Sequence, residues 1–81
     1  EPHMEDRMIQ EQIHQDVRDL LETLPEEQRL VVKMRIERDM SFQEIADETG
    51  VSINTALGRM RYALINLRKA MDERGVQLTL N

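Results

Sequence analysis

Apolar positions along this chain recur at spacings of three and four, and they do so in four stretches separated by turn-forming residues. Between Met4 and Leu24 the stripe is Ile9, Ile13, Val17, Leu20, Leu21 and Leu24, the pattern of an amphipathic helix. Pro25 ends it, because the residue before a proline is pushed away from helical dihedrals. The same proline suits the first turn of a second helix, whose positive end Glu26 and Glu27 complement. That helix is expected to run to about Arg38, with Val31, Val32, Met34 and Ile36 as inward positions.

Asp39-Met40 breaks the pattern, and Ser41 with Glu44 three residues on forms an S-x-x-E capping box for a third helix. This helix is short, Phe42 to about Thr49, and offers Phe42, Ile45 and Ala46 to a core. Gly50 stops it, since glycine takes left-handed dihedrals at little cost. Ser52 is a good N-cap for a fourth helix, which carries Ile53, Ala56, Met60, Ala63, Leu64, Leu67 and Met71 at helical spacing and closes at Gly75. Residues 76–81 alternate apolar and polar but have no partner strand, so an irregular tail is expected. Glu1 to His3, ahead of Met4, resemble the remnant of a cloning site and are set apart from the fold. The expected architecture is all-α: a four-helix domain over residues 4–75 containing a helix-turn-helix, with winged elements absent.

Composition narrows the function. Eighty-one residues suit one domain, and without cysteine there is neither a disulfide nor a thiolate metal site. Two histidines alone make no zinc cluster. No nucleophile–base set or phosphate-binding loop accompanies them, so neither an enzyme nor a cofactor is expected. The apolar runs fall short of a membrane span, no signal segment is evident, and a cytoplasmic protein without membrane contact is expected. The net charge of −5 argues against nucleic acid until its distribution is read. Residues 1–27 carry −7, whereas residues 51–71 hold Arg59, Arg61, Arg68 and Lys69 with no acid at all.

Ser41 to Tyr62 is the most informative stretch. A helix-turn-helix needs a small residue where its two helices cross, a residue tolerant of positive φ between them, and a second helix able to enter a major groove. Ala46 and Gly50 meet the first two demands, Val51 plugs the angle, and Ser52 starts the reading helix.

The runs L-P-E-E-Q-R from Leu24, S-F-Q-E-I-A-D-E-T-G-V-S-I-N-T-A from Ser41 and R-M-R-Y-A-L-I-N-L-R-K from Arg59 resemble region four of bacterial sigma factors, especially the extracytoplasmic-function group. The likeness spans about Leu24 to Met71. It implies a domain that reads the promoter element near −35 with its last helix while docking on the β flap of RNA polymerase core. It also implies an anti-sigma factor as a further partner. By the same resemblance Leu24, Pro25, Gln28 and Arg29 match the opening motif. Glu44, Ile45 and Ala46 match the first helix of the helix-turn-helix, and Thr55, Arg59 and Ala63 match the recognition helix. Two departures stand out. Asp39 occupies a position where the family usually has glycine. T-A-L-G-R-M replaces the usual T-V-K-S-R-L, so Leu57 stands for a basic residue and Gly58 for a serine.

With Ala56, Met60, Ala63 and Leu67 inward, helical geometry turns Asn54, Leu57, Gly58, Arg61 and Tyr62 to the opposite side as base-reading candidates. Asn can bond adenine, Arg can bond guanine, and Leu57 can meet a thymine methyl. Ser41, Gln43, Thr55 and Arg59 are the phosphate candidates, which position the domain without specifying sequence. Plainer readings stand beside these: Arg59 and Arg61 as a solvated face, Tyr62 as a packing residue, Gly58 as a neutral surface position. Two rival functions remain at this point. One is the DNA-binding domain of a LuxR-type response regulator; the other is a protein-interaction module that has lost DNA binding.

Overall fold

The structure, a computed structural model, describes residues 4–75, excepting the side chains of residues 4–10, 13 and 14. The expected cloning remnant and tail lie outside the described residues. Four helices follow in order: α1 (Met4–Leu21), α2 (Glu26–Ile36), α3 (Phe42–Thr49) and α4 (Ile53–Arg74). No strand or wing occurs among the described residues.

Each boundary has a local cause. α1 stops three residues short of the expected Leu24. The N–H groups of Thr23 and Leu24 make tight bonds back to the Leu20 and Leu21 carbonyls, and the Thr23 hydroxyl also donates to Leu20 O at 2.6 Å. Pre-proline Leu24 leaves the helix but stays buried. Pro25 is the N-cap of α2 rather than its first residue, and its carbonyl accepts from Gln28 and Arg29. Beyond α2 the chain turns through Asp39 at φ 52, a left-handed conformation that aspartate visits more readily than most residues. α3 opens on the complete capping box. Ser41 Oγ accepts from the Glu44 N–H at 3.1 Å, and the Ser41 N–H donates to Glu44 Oε1 at 2.8 Å. Gly50, at φ 71, lets its own N–H and that of Val51 converge on the Ala46 carbonyl.

Three expected inward positions face out, Ile53 at the start of α4 among them. Ile36 is 68% exposed, because two residues beyond Met34 turn it about 200° around the helix axis. Leu64 is also exposed, since its neighbour Ala63 occupies the covered line of α4.

The core has two parts with α4 as their common wall. Val31, Met34, Ile45, Ala46 and Ala56 join α2, α3 and the start of α4, with Phe42 and Val51 packed against them. Leu21, Leu24, Val32 and Ala63 form the second part, joined by Val17 and Leu67; Met60 touches both. Ile45 is fully buried at the helix-turn-helix crossing, where truncation to alanine would cost about 2–5 kcal/mol.

Candidate nucleic-acid interface

The turn after Gly50 projects α4 away from α3, and Ser52 starts it by accepting from the Thr55 N–H at 3.1 Å. α4 has no acid in its first turn, whereas α2 has Glu26 and Glu27 there and α3 has Glu44. The partial positive charge of the α4 N-terminus is therefore not cancelled by its own side chains. At α3 the Ser41 backbone N–H, and next the Ser41 side chain, hold the Glu44 carboxyl below its ordinary value. That carboxylate occupies the end of α3 with negative charge.

Asn54, Leu57, Arg61 and Tyr62 are exposed on α4, and Gly58 is half-exposed between them. At 100° per residue, Asn54, Gly58 and Arg61 lie within an arc of about 60°. The five base-reading candidates thus share one side of α4, with Leu57 and Tyr62 at its edges. A β-carbon added at Gly58 would meet nothing within 4 Å, so this glycine answers no packing need inside the domain.

The phosphate candidates do not gather in one place. Thr55 is exposed beside this face, with its hydroxyl accepting from Ser52 Oγ at 3.0 Å. Ser41 is engaged in the capping box, and Gln43 Nε2 donates to Asp47 Oδ1 at 3.0 Å along α3. Arg59 points elsewhere, into an open groove of about 350 Å³ between α2 and α3 lined by Glu26, Glu27, Leu30, Met34 and Glu48.

Sequence reasoning missed one positioning residue. Arg35, near the end of α2, donates to the Met40 carbonyl at 2.9 Å and lies 5.3 Å from the centroid of the Phe42 ring. It spans the turn into the helix-turn-helix and holds the entry to α3 from both sides. Arg38 adds a forked pair with Glu48, at 2.8 and 3.2 Å, at the far end of α3. Their partners lie in the turn or on α3 across it, so no periodic signal announced them. Among the described residues no group of three His, Asp or Glu side chains is placed to hold a metal ion.

The family described as sigma-70, region 4, matches residues 20–69, most of the chain, including α3, the turn and most of α4. The chain belongs to that family. It is a sigma-factor-type DNA-binding domain, and the function of its family is transcription initiation. Region 4 domains work with promoter DNA and RNA polymerase and are a non-enzymatic family. Comparison with curated proteins found no match. No helix among the described residues of this region 4 domain is long and apolar enough to cross a membrane.

Proposed function

We propose that this region 4 domain binds the promoter element near −35 as the C-terminal part of a sigma factor of the extracytoplasmic-function type. In this role it directs RNA polymerase core to initiate transcription in the cytoplasm. The observation that carries the reading is the exposed face of α4. Asn54, Leu57, Gly58, Arg61 and Tyr62 stand together on a helix with no acid through residue 71. Asn54 and Arg61 supply the hydrogen-bonding groups suited to adenine and guanine, and Leu57 supplies a contact for a thymine methyl. The α4 N-terminus and Thr55 suit a backbone phosphate.

Off this face, α2 exposes two apolar residues, Ile36 near its end and Leu30, 46% exposed beside Glu26 and Glu27. This surface is the proposed dock for the β flap of the polymerase, with an anti-sigma factor as a second claimant.

Titration of duplex DNA selected from a randomised pool, at several salt concentrations, tests the DNA reading. Two to four phosphate contacts give a slope of log K against log salt of about −2 to −4. Arg61→Ala should cost about 1–3 kcal/mol and relax preference at one base position. Equal weakening on every sequence would make Arg61 a phosphate contact. No binding even at low ionic strength would favour the rival reading, an interaction module without DNA.

A further inference from the structure

The base-reading face of α4 has an apolar edge that hydrogen bonding to adenine and guanine does not use. Ile53 is the first residue of α4 and Leu57 stands one turn later, 40% and 42% exposed. Neither joins the residues packed on either part of the core. At 100° per residue, Ile53, Leu57 and Arg61 follow one another about 40° apart, a ridge that advances about 6 Å along the axis at each step. Asn54 flanks this ridge, about 60° from Leu57. Ile53 and Leu57 lie in the first two turns, the part of a reading helix that enters the groove. Gly58 adds no bulk beside them, leaving their short aliphatic side chains free to reach the groove floor. A single exposed aliphatic side chain needs no explanation, but two in register on a reading edge call for one.

The major groove of unmodified DNA displays one apolar group, the C5 methyl of thymine; the rest of its pattern is donors and acceptors. An aliphatic side chain laid on a donor or acceptor strips its water without replacing the hydrogen bond. We propose that Ile53 and Leu57 are specificity-determining residues that read pyrimidine C5 methyl groups on base pairs one or two steps apart, with Arg61 next on the ridge for a guanine. The step of about 6 Å between the two side chains falls within two base-pair rises of about 3.4 Å each. What the ridge recognises is the methyl, not the base. 5-Methylcytosine carries that group at the same ring position as thymine, so it is a second source of the contact. A site with unmodified cytosine in either place is thereby weak until its C5 is methylated. The assignment rests on the promoter reading, because α4 must lie in a major groove for either contact to form.

The probes are duplexes built on the tightest sequence that the whole chain selects from a randomised pool. Each thymine in the footprint is replaced in turn by deoxyuridine, which keeps every hydrogen-bonding group and removes only the methyl. Uracil should weaken binding about fourfold at each of two positions and about fifteenfold at both together. Leu57→Ala should bind thymine and uracil alike at one of these positions, and Ile53→Ala at the other. Both sites are exposed, so the variants should keep the helical circular dichroism. In a second set the same two base pairs become C·G, with the cytosine plain or methylated at C5. Methylation should raise affinity about fourfold per site for the parent and not at all for the matching alanine variant. The methyl assignment is overturned by a tightest sequence without thymine in its footprint, or by specific binding indifferent to uracil. It is likewise overturned by uracil sensitivity that survives both alanine variants, or by equal binding of plain and methylated cytosine. Each of these results leaves the promoter reading standing, since binding is still specific. Binding that follows no sequence at any salt concentration would overturn both.

Discussion

Asn66 Nδ2 donates to Gln28 Oε1 at 2.8 Å, tying the middle of α4 to the first turn of α2 across 38 residues of chain. The pair is partly buried, so its geometry is held more firmly than that of the surface pairs along α1. Gln28 belongs to the opening motif by which the chain resembled its family, and this bond gives that residue a physical task. It fixes the angle at which the reading helix leaves the body. Asn66→Ala should cost about 1 kcal/mol in urea unfolding, and a double-mutant cycle with Gln28→Ala should return a coupling of about 0.5–1.5 kcal/mol. Strict additivity would mean the two side chains act separately.

Asp39→Gly should raise the thermal midpoint. Asp39 sits at φ 52, where an L side chain is strained and glycine is not. The larger conformational freedom of glycine in the unfolded chain offsets part of the gain, leaving a net rise below about 1 kcal/mol. Asp39→Val, with a branched side chain at the same φ, should lower the midpoint.

Gly58→Ala separates folding from recognition. The new methyl group meets nothing within 4 Å, so helix propensity should stabilise the free domain by up to about 1 kcal/mol. If the bare backbone at Gly58 approaches the base edges, as the proposed interface requires, the same methyl should weaken specific DNA binding. A melt and a DNA titration on this one variant decide the matter. Higher stability with undiminished affinity would leave Gly58 a neutral surface position.

Leu30→Glu should spare the helical signal and DNA binding, because Leu30 is nearly half exposed and, though it shares a groove with Arg59, lies off the face formed by Asn54, Gly58 and Arg61. It adds a third carboxylate beside Glu26 and Glu27 and removes an apolar contact. Binding to a β-flap fragment should therefore fall by at least about tenfold. Unchanged flap binding would move the dock elsewhere on the domain.

The capping box predicts an acid dependence whose sign is fixed. Glu44 has its carboxyl lowered first by the Ser41 backbone N–H and then by the Ser41 side chain. A group lowered on folding contributes stability that is fully present above its unfolded pKa and is lost as pH falls through the folded one. Glu44→Gln should thus be less stable than the parent at neutral pH. The difference should shrink on acidification below about pH 4, measured by thermal melts across pH. A constant difference would assign the loss to geometry rather than charge.

The elements easiest to read in advance were those decided by neighbours in sequence. Ser41 with Glu44, Gly50, Ser52 and Gly75 each act within one turn, so residue type alone marked the ends of α3 and the bounds of α4. Periodicity was less discriminating. It offers a stripe, but how much of the stripe is covered depends on where the next helix crosses, which is why Ile36, Ile53 and Leu64 face out. Contacts across a turn were invisible for the same reason. Arg35 finds Phe42 and Met40, and Arg59 finds the groove beside Glu26 and Glu48, only once helix angles are set. The exposed face of α4 followed from helical phase alone, because its covered residues Ala56 and Ala63 are small and unambiguous.

The uneven placement of first-turn acids has a kinetic consequence. α2 and α3 begin with carboxylates and α4 does not, so a polyanion drifting towards the domain meets repulsion at two helix ends and attraction at one. Encounters in the wrong orientation are short-lived, and those at α4 already hold the helix end-on to the groove. Such sorting acts on the association rate, so replacing Glu44 by glutamine should leave dissociation of DNA nearly constant while changing how fast the complex forms at low salt.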